Sequence, residues 1–173
     1  GGPGLGSIAA SQSDYFQATR GGGHGDYRTI VLGPSSVQEL ADYTHRAFEL
    51  ADKYFMPVVI LGDGMLGQMM EPVEFKHEAP EIPPVRDNAL RGARGRPSRY
   101  VKTFTSKPAE LEEINWSLFR RYQLIKKQET TWETHLTEDA ELIVVAFGIA
   151  ARIAKGAVNN ARKEGLKVGL FRP

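Results

Sequence analysis

Two glycine-dense stretches carry the residue types that could do chemistry. Residues 20–26 (RGGGHGD) place a guanidinium, an imidazole and a carboxylate within seven positions, on a backbone free to take positive φ. An imidazole near neutral pKa beside a carboxylate suits proton transfer or anion contact. A histidine in a surface loop is the commoner outcome, and composition alone favours it. Residues 1–7 (GGPGLGS) would let backbone amides approach an anion or a planar ring. They lack a preceding strand and a later acidic residue, so they do not make a dinucleotide fingerprint, and alone they read as a turn.

Other candidates are weaker. Gly62-Asp63-Gly64 is followed roughly 25 residues later by Asp87-Asn88. That spacing imitates a magnesium–diphosphate signature, which needs a helix and a strand between its two ends. The intervening VEFKHEAPEIPPV is broken by proline, so no metal site is assigned and Asp63 reads as a turn residue at a strand end. His45 sits off the apolar stripe of its helix, and His77 and His135 read as isolated. No Ser–His–Asp spacing is present. Met65, Met69 and Met70 read as core or interface filler. The run 86–102 interleaves arginine with glycine and a tyrosine. It suits RNA or phosphate, or a solvated arm against an acidic subunit, which is the favoured reading.

The elements around these stretches are α/β in style. A short helix is predicted over 13–19 and a strand over 28–32, bounded by Gly25 and Gly33-Pro34. Ser35 or Ser36 caps a helix with Glu39 as capping-box partner. Val37, Leu40, Ala41, Thr44, Ala47, Phe48, Ala51 and Phe55 form its predicted apolar stripe. An unbroken apolar strand follows at 57–61, giving a parallel strand–helix–strand unit. Between Arg86 and Lys107 the local charge is +6, and five of the ten prolines fall in 76–108. A helix is predicted over 109–127, with Leu111, Ile114, Leu118, Tyr122 and Ile125 on one face. Strand 141–148, helix 149–164 and strand 167–171 form a second unit of the same style.

The 173 residues are 41% apolar with a net charge of +1, so a core can be buried and no nucleic-acid binder is implied by charge. The absence of cysteine excludes a disulfide scaffold, a thiol nucleophile and a cysteine-held cluster in this chain, and fits a cytoplasmic setting. No apolar run is long enough for a membrane span. The opening without methionine and the stop at FRP read as ends cut from something longer.

The stretches GGPGLGSIAASQSDYFQATRGGGHGDYRTIVLGPSSVQELADYT, PVVILGDGMLGQMMEPVEF, AELEEINWSLFRRY and LTEDAELIVVAFGIAARIAKGAV closely resemble the alpha subunit of 2-oxoacid:ferredoxin oxidoreductases, nearest the 2-oxoisovalerate branch. The resemblance covers nearly the whole chain and is weakest over 78–107. It implies a fragment lacking the N-terminal part and the C-terminal end. The implied fold is a partial thiamine-diphosphate pyrimidine-binding domain, a parallel sheet with flanking helices, followed by the start of a transketolase C-terminal-like α/β domain. The implied division is 1–75 for the first domain, 76–108 for a basic proline-rich arm, 109–137 for a connecting helix and 138–173 for the opening of the second domain.

The resemblance further implies oxidative decarboxylation of 2-oxo acids, branched-chain ones foremost, to acyl-CoA with ferredoxin as acceptor. Thiamine diphosphate would be shared with a beta subunit, and magnesium and iron–sulfur clusters would lie only in other subunits. Gamma and ferredoxin-like subunits, ferredoxin, CoA and a second alpha copy are the implied partners; nucleic acid and membrane are not. Gly2, Pro3, Gly4, Leu5, Gly6 and Ser7 would lie beside cofactor and substrate, with His24, Gly25 and Asp26 at the periphery, near the substrate or a partner subunit. The loop of residues 20–28 would lie at the cofactor edge of the sheet. The family's catalytic glutamate and substrate-binding arginine lie upstream, so no catalytic residue is assigned and the isolated fragment is expected to be inactive, with exposed apolar edges. The hydroxyl-rich run of the 2-oxoglutarate branch is replaced here by Pro3-Gly4-Leu5-Gly6-Ser7-Ile8-Ala9, compatible with an apolar substrate. The alternatives are a non-catalytic structural or regulatory subunit of the same fold, or an RNA- or phosphate-binding protein working through 86–102.

Overall fold

A computed structural model describes residues 12–75, 89–90, 92–100 and 104–173. The glycine run 1–7, Asp87-Asn88, His77, Arg86, Arg91 and Lys102 lie outside the described residues.

The first unit is built as strand, helix, strand. Helix α1 (Tyr15–Arg20) precedes β1 (Ile30–Leu32), then come α2 (Val37–Tyr54), β2 (Val58–Ile60) and the short α3 (Gly64–Gln68). β1 and β2 pair in parallel, Ile30 opposite Val58 and Leu32 opposite Ile60. The start of α2 follows from its cap. Ser36 is extended and its side chain accepts the Glu39 N–H, satisfying one of the orphan donors of the first turn. The Glu39 carboxylate reaches back one residue further than a standard capping box, accepting the Ser35 N–H at 2.7 Å.

The buried line of α2 differs from the predicted stripe. Leu50 and Tyr54 are buried with Ile30 and Leu32, and Tyr43 and Ala47 pack against them. Phe48 and Phe55 are exposed, and Phe55 takes a left-handed cap conformation. The reason is the tyrosines. Their rings fill the core while the Tyr54 hydroxyl finds Gln128 at 3.0 Å, so a residue that counts as polar in a pattern packs as an aromatic.

Helix α4 (Pro108–Glu129) has proline in its first turn and no buried residue. Its only described seat in the core is Ile125. It ends at Thr130, and residues Glu133–His135 form β3, which pairs antiparallel with β5. This strand falls inside the segment read as a connecting helix. Thr130, Thr131 and Thr134 favour extended backbone, and β3 pairs with partners 35 to 39 residues away, which local pattern cannot show.

The second unit comprises β4 (Leu142–Val145), α5 (Gly148–Lys163) and β5 (Val168–Arg172) in sheet order β3-β5-β4. Ile149, Ala151, Val158 and Leu170 are buried in it. Gly165 turns the chain with φ +86° after α5. Arg162 ties the returning loops, donating to Val168 O and Leu136 O and pairing with Asp139. Among the described residues β4 pairs only with β5, and its Leu142 and Val145 are 61% and 66% exposed, the apolar edge that the sequence leads one to expect.

Candidate functional site

The carboxyl ends of β2 and β4 converge on one place, as ligand sites do in open parallel sheets. Gln12, Asp14 and Tyr15 meet Leu61, Gly62, Asp63, Phe147 and Gly148 around a cavity of about 30 Å³. Gln12 Nε2 donates to Phe147 O at 2.9 Å across 135 residues. The Tyr15 and Phe147 rings stack obliquely, with centroids 5.3 Å apart. Gly148 has φ +58°, and a Cβ there would stand 3.2 Å from Gln12 Nε2 and 3.6 Å from Pro34 O. Glycine is therefore required for the close approach of the two units at this edge.

A slot of about 310 Å³ continues from this edge along β1. Ile30, Val31 and Leu32 line it together with Tyr15, Tyr43, Ile125 and Phe147. Its size is at the low end of the about 300–1,000 Å³ of small-molecule sites. Its polar end holds Glu129, which accepts from Lys53 at 2.7 Å and from the Tyr54 hydroxyl. The Lys53 hydrogen bond, with that of Tyr54, holds the Glu129 carboxyl below its ordinary range.

Asp63, which lines the small cavity, is used as a helix cap. Its Oδ1 accepts the Leu66 N–H at 2.9 Å and caps α3, behind the buried Leu66. Among the described residues no group of three His, Asp or Glu side chains could hold a metal. The aromatic and amide wall fits one side of a planar ring. The described residues do not fit a diphosphate–magnesium site.

A polar seam joins the two units on another face. Arg172 is buried; its Nη1 lies 2.8 Å from Glu39 Oε1, and its Nη2 donates to Glu39 Oε2 and to Gly33 O. Glu71 accepts from Val37 N and pairs with Arg152. Glu133 pairs with Lys155 and Arg172. The charges of this seam are matched to one another, as in a structural joint.

The remaining sequence candidates are dispersed. The loop of residues 21–29 enters β1 at its amino end, because α1 runs back along β1 and Thr29 Oγ1 donates to Ala18 O at 2.8 Å. His24, Gly25 and Asp26 are exposed there, at the end of β1 opposite the Gln12–Phe147 edge. The loop thus stands at the amino end of β1. Gly22 N donates to the Tyr27 hydroxyl at 2.6 Å, closing the loop as a turn. His45 does have a carboxylate neighbour, Glu49 at 3.3 Å, one helical turn on. His135 is not isolated, since Nε2 lies 2.7 Å from Asn159 Oδ1. Met65 and Met70 are exposed and fill no core of this chain. Arg94, Arg96 and Arg99 lie in the described part of the arm, and Arg96 donates to Pro97 O. Gln12, Tyr15 and Phe147 escaped the sequence reading. The only local sign was Gly148, directly after an apolar strand.

Comparison with known proteins sets this geometry in a family. The family model described as pyruvate flavodoxin/ferredoxin oxidoreductase, thiamine diphosphate-binding, matches residues 1–142. The model of pyruvate:ferredoxin oxidoreductase core domain II matches residues 140–173. The chain is 49% identical over 172 residues to ketoisovalerate oxidoreductase subunit VorB of Methanothermobacter marburgensis, covering 99% of this chain and 49% of that one. It is 33% identical over 189 residues to 2-oxoglutarate synthase subunit KorA of Methanothermobacter thermautotrophicus, covering 94% of this chain and 50% of the relative. The chain thus spans about half the length of these relatives. A solved structure, 2-oxoglutarate:ferredoxin oxidoreductase from Magnetococcus marinus with 2-oxoglutarate, coenzyme A and succinyl-CoA bound, superposes with TM-score 0.75 at 24% identity, covering all of this chain and 35% of that one. That likeness establishes the shared α/β fold. The chain belongs to the thiamine-diphosphate-binding family of pyruvate flavodoxin/ferredoxin oxidoreductases.

Proposed function

We propose that this chain is part of the alpha-type subunit of a thiamine-dependent oxidoreductase. The enzyme converts a branched-chain 2-oxo acid and CoA to an acyl-CoA and CO2, passing two electrons to ferredoxin. The observation that carries this reading is the graded identity, 49–50% to ketoisovalerate subunits against 30–33% to 2-oxoglutarate subunits. Replacement of the hydroxyl-rich run by Leu5-Gly6-Ser7-Ile8-Ala9 supports an apolar substrate.

Thiamine diphosphate, when bound, supplies the carbanion chemistry that breaks the bond to the departing carboxylate. This chain contributes one wall. Gln12, anchored on Phe147, leads directly from the glycine-dense start of the chain, which supports placing Gly2, Pro3, Gly4, Leu5, Gly6 and Ser7 beside the cofactor. For His24, Gly25 and Asp26 the geometry favours contact with a partner subunit. A beta subunit would hold diphosphate and magnesium, because Asp63 is committed to its helix cap. Iron–sulfur clusters would lie in ferredoxin-like subunits, because this chain has no cysteine. Gamma subunit, ferredoxin, CoA and a second alpha copy complete the proposed assembly, in the cytoplasm. Among the described residues no helix is long and apolar enough to cross a membrane.

Purified complex, assayed with 2-oxoisovalerate, 2-oxoglutarate and pyruvate in the presence of CoA and ferredoxin, tests the reading. Highest kcat/KM on 2-oxoisovalerate supports it. Absence of turnover on any 2-oxo acid favours the non-catalytic alternative.

A further inference from the structure

Gln12 makes a contact that its own helix does not need. It precedes α1, and its side chain reaches out of the first unit to the place where β4 ends and α5 begins. Its Nε2 donates to Phe147 O at 2.9 Å. That carbonyl already accepts the Ala151 N–H at 3.2 Å, so α5 starts without help from Gln12. The contact is nevertheless built from both sides. Gly148 takes φ +58°, and a Cβ there would stand 3.2 Å from Gln12 Nε2. Glycine keeps the approach open for the amide. Phe147 in turn lies against the Tyr15 ring and against Gly33, where a Cβ would come within 3.3 Å of Phe147 Cδ2. The acceptor is thus held by packing on two sides.

The neighbours account for the amide. Asp14 and Asp63 line the same small cavity. Gln12→Glu would add a third carboxylate there and set an acceptor against the Phe147 carbonyl. Gln12→Lys would be drawn to the two aspartates. A neutral donor suits the place. The cavity, about 30 Å³, has room for a water and none for a 2-oxo acid, so Gln12 does not touch substrate there. What it can hold is the chain. The glycine-dense run ends five residues before it. Four of residues 1–7 are glycine, which leaves the run few side chains of its own to fix its position.

We propose that Gln12 is a positioning residue. Its carboxamide, hung on the Phe147 carbonyl, registers the end of the glycine-dense run against the start of α5 and thereby sets which 2-oxo acid side chain the enzyme accepts. The inference rests on the functional reading above, which puts that run beside the substrate. Loosening the register blurs the distinction between an apolar and a carboxylate-bearing side chain. It does so without unfolding the protein, because Phe147 O keeps the Ala151 N–H.

The test uses the full-length subunit in its purified complex. Native protein, Gln12→Ala and Gln12→Glu are assayed on 2-oxoisovalerate and 2-oxoglutarate with CoA and ferredoxin. Amide hydrogen exchange of residues 4–14 is followed by mass spectrometry. Both substitutions should lower the ratio of kcat/KM values, 2-oxoisovalerate over 2-oxoglutarate, at least about fivefold, and should speed exchange at residues 4–14 by a similar factor. The thermal midpoint and exchange at β5 should not move. Gly148→Ala should lower the ratio likewise, and adding Gln12→Ala to it should lower it no further, since both break one contact. An unchanged ratio in both Gln12 variants overturns the proposal. So does an equal loss on both substrates, which would make Gln12 a structural contact only. A native complex that turns over no 2-oxo acid defeats the functional reading and this inference with it. A native preference that survives in the Gln12 variants defeats this inference alone.

Discussion

Arg172 on β5 and Glu39 in the first turn of α2 meet in a two-pronged ion pair, with Nη1 2.8 Å from Oε1, although 133 residues separate them. The same guanidinium donates to Gly33 O at 3.0 Å. The pair therefore joins the second sheet to the turn that follows β1. It also fixes the carboxylate that receives Ser35 N–H ahead of the helix cap.

Removing one partner leaves the other charge largely enclosed. Arg172→Met should cost about 2–3 kcal/mol in chemical denaturation of the full-length subunit, less than for a fully buried pair because Glu39 keeps some access to water. A loss within about 0.5 kcal/mol would show that the seam is a surface pair.

The same joint sets a pH dependence. Burial alone would raise the Glu39 carboxyl, but hydrogen bonds from Arg172 and Ser35, with the Arg172 charge, outweigh it and leave the group below 4.5. A depressed folded value means the contribution is complete above 4.5 and fades as pH falls through the folded value. The stability gap between native protein and Glu39→Gln should stay level from neutral pH down to about 5 and narrow below 4.5. A gap that is constant into strong acid would contradict this assignment.

Gly169 on β5 allows the closest backbone approach in the second unit. A Cβ there would lie 2.6 Å from Leu136 O and 3.0 Å from Thr137 Cα. Gly169→Ala must displace the turn that Arg162 holds and should cost about 2–3 kcal/mol, read as a lower thermal midpoint. An unchanged midpoint would mean that this turn gives way freely.

The organisation of both units is readable in the sequence because each rests on local rules. The apolar runs place β1, β2, β4 and β5. Ser36 starts α2 and Gly165 ends α5. What escapes depends on contacts far apart in the chain. β3 exists through β5, the true face of α2 is chosen by the two tyrosines, and the Gln12–Phe147 edge spans 135 residues. The glycine loop reads correctly as a turn.

Asp63 separates a cap from a ligand. Asp63→Asn retains a side-chain oxygen for Leu66 N–H and should leave thiamine diphosphate affinity of the complex within about twofold, while Asp63→Ala should cost about 1 kcal/mol of stability. A tenfold loss of cofactor affinity in Asp63→Asn would make the carboxylate a ligand.

The most direct measurement is substrate preference of the intact complex, with ferredoxin reduction followed for each 2-oxo acid. The account predicts that kcat/KM for 2-oxoisovalerate exceeds that for 2-oxoglutarate by at least about a hundredfold, equivalent to roughly 2.7 kcal/mol of transition-state discrimination. Equal or greater efficiency on 2-oxoglutarate would contradict it.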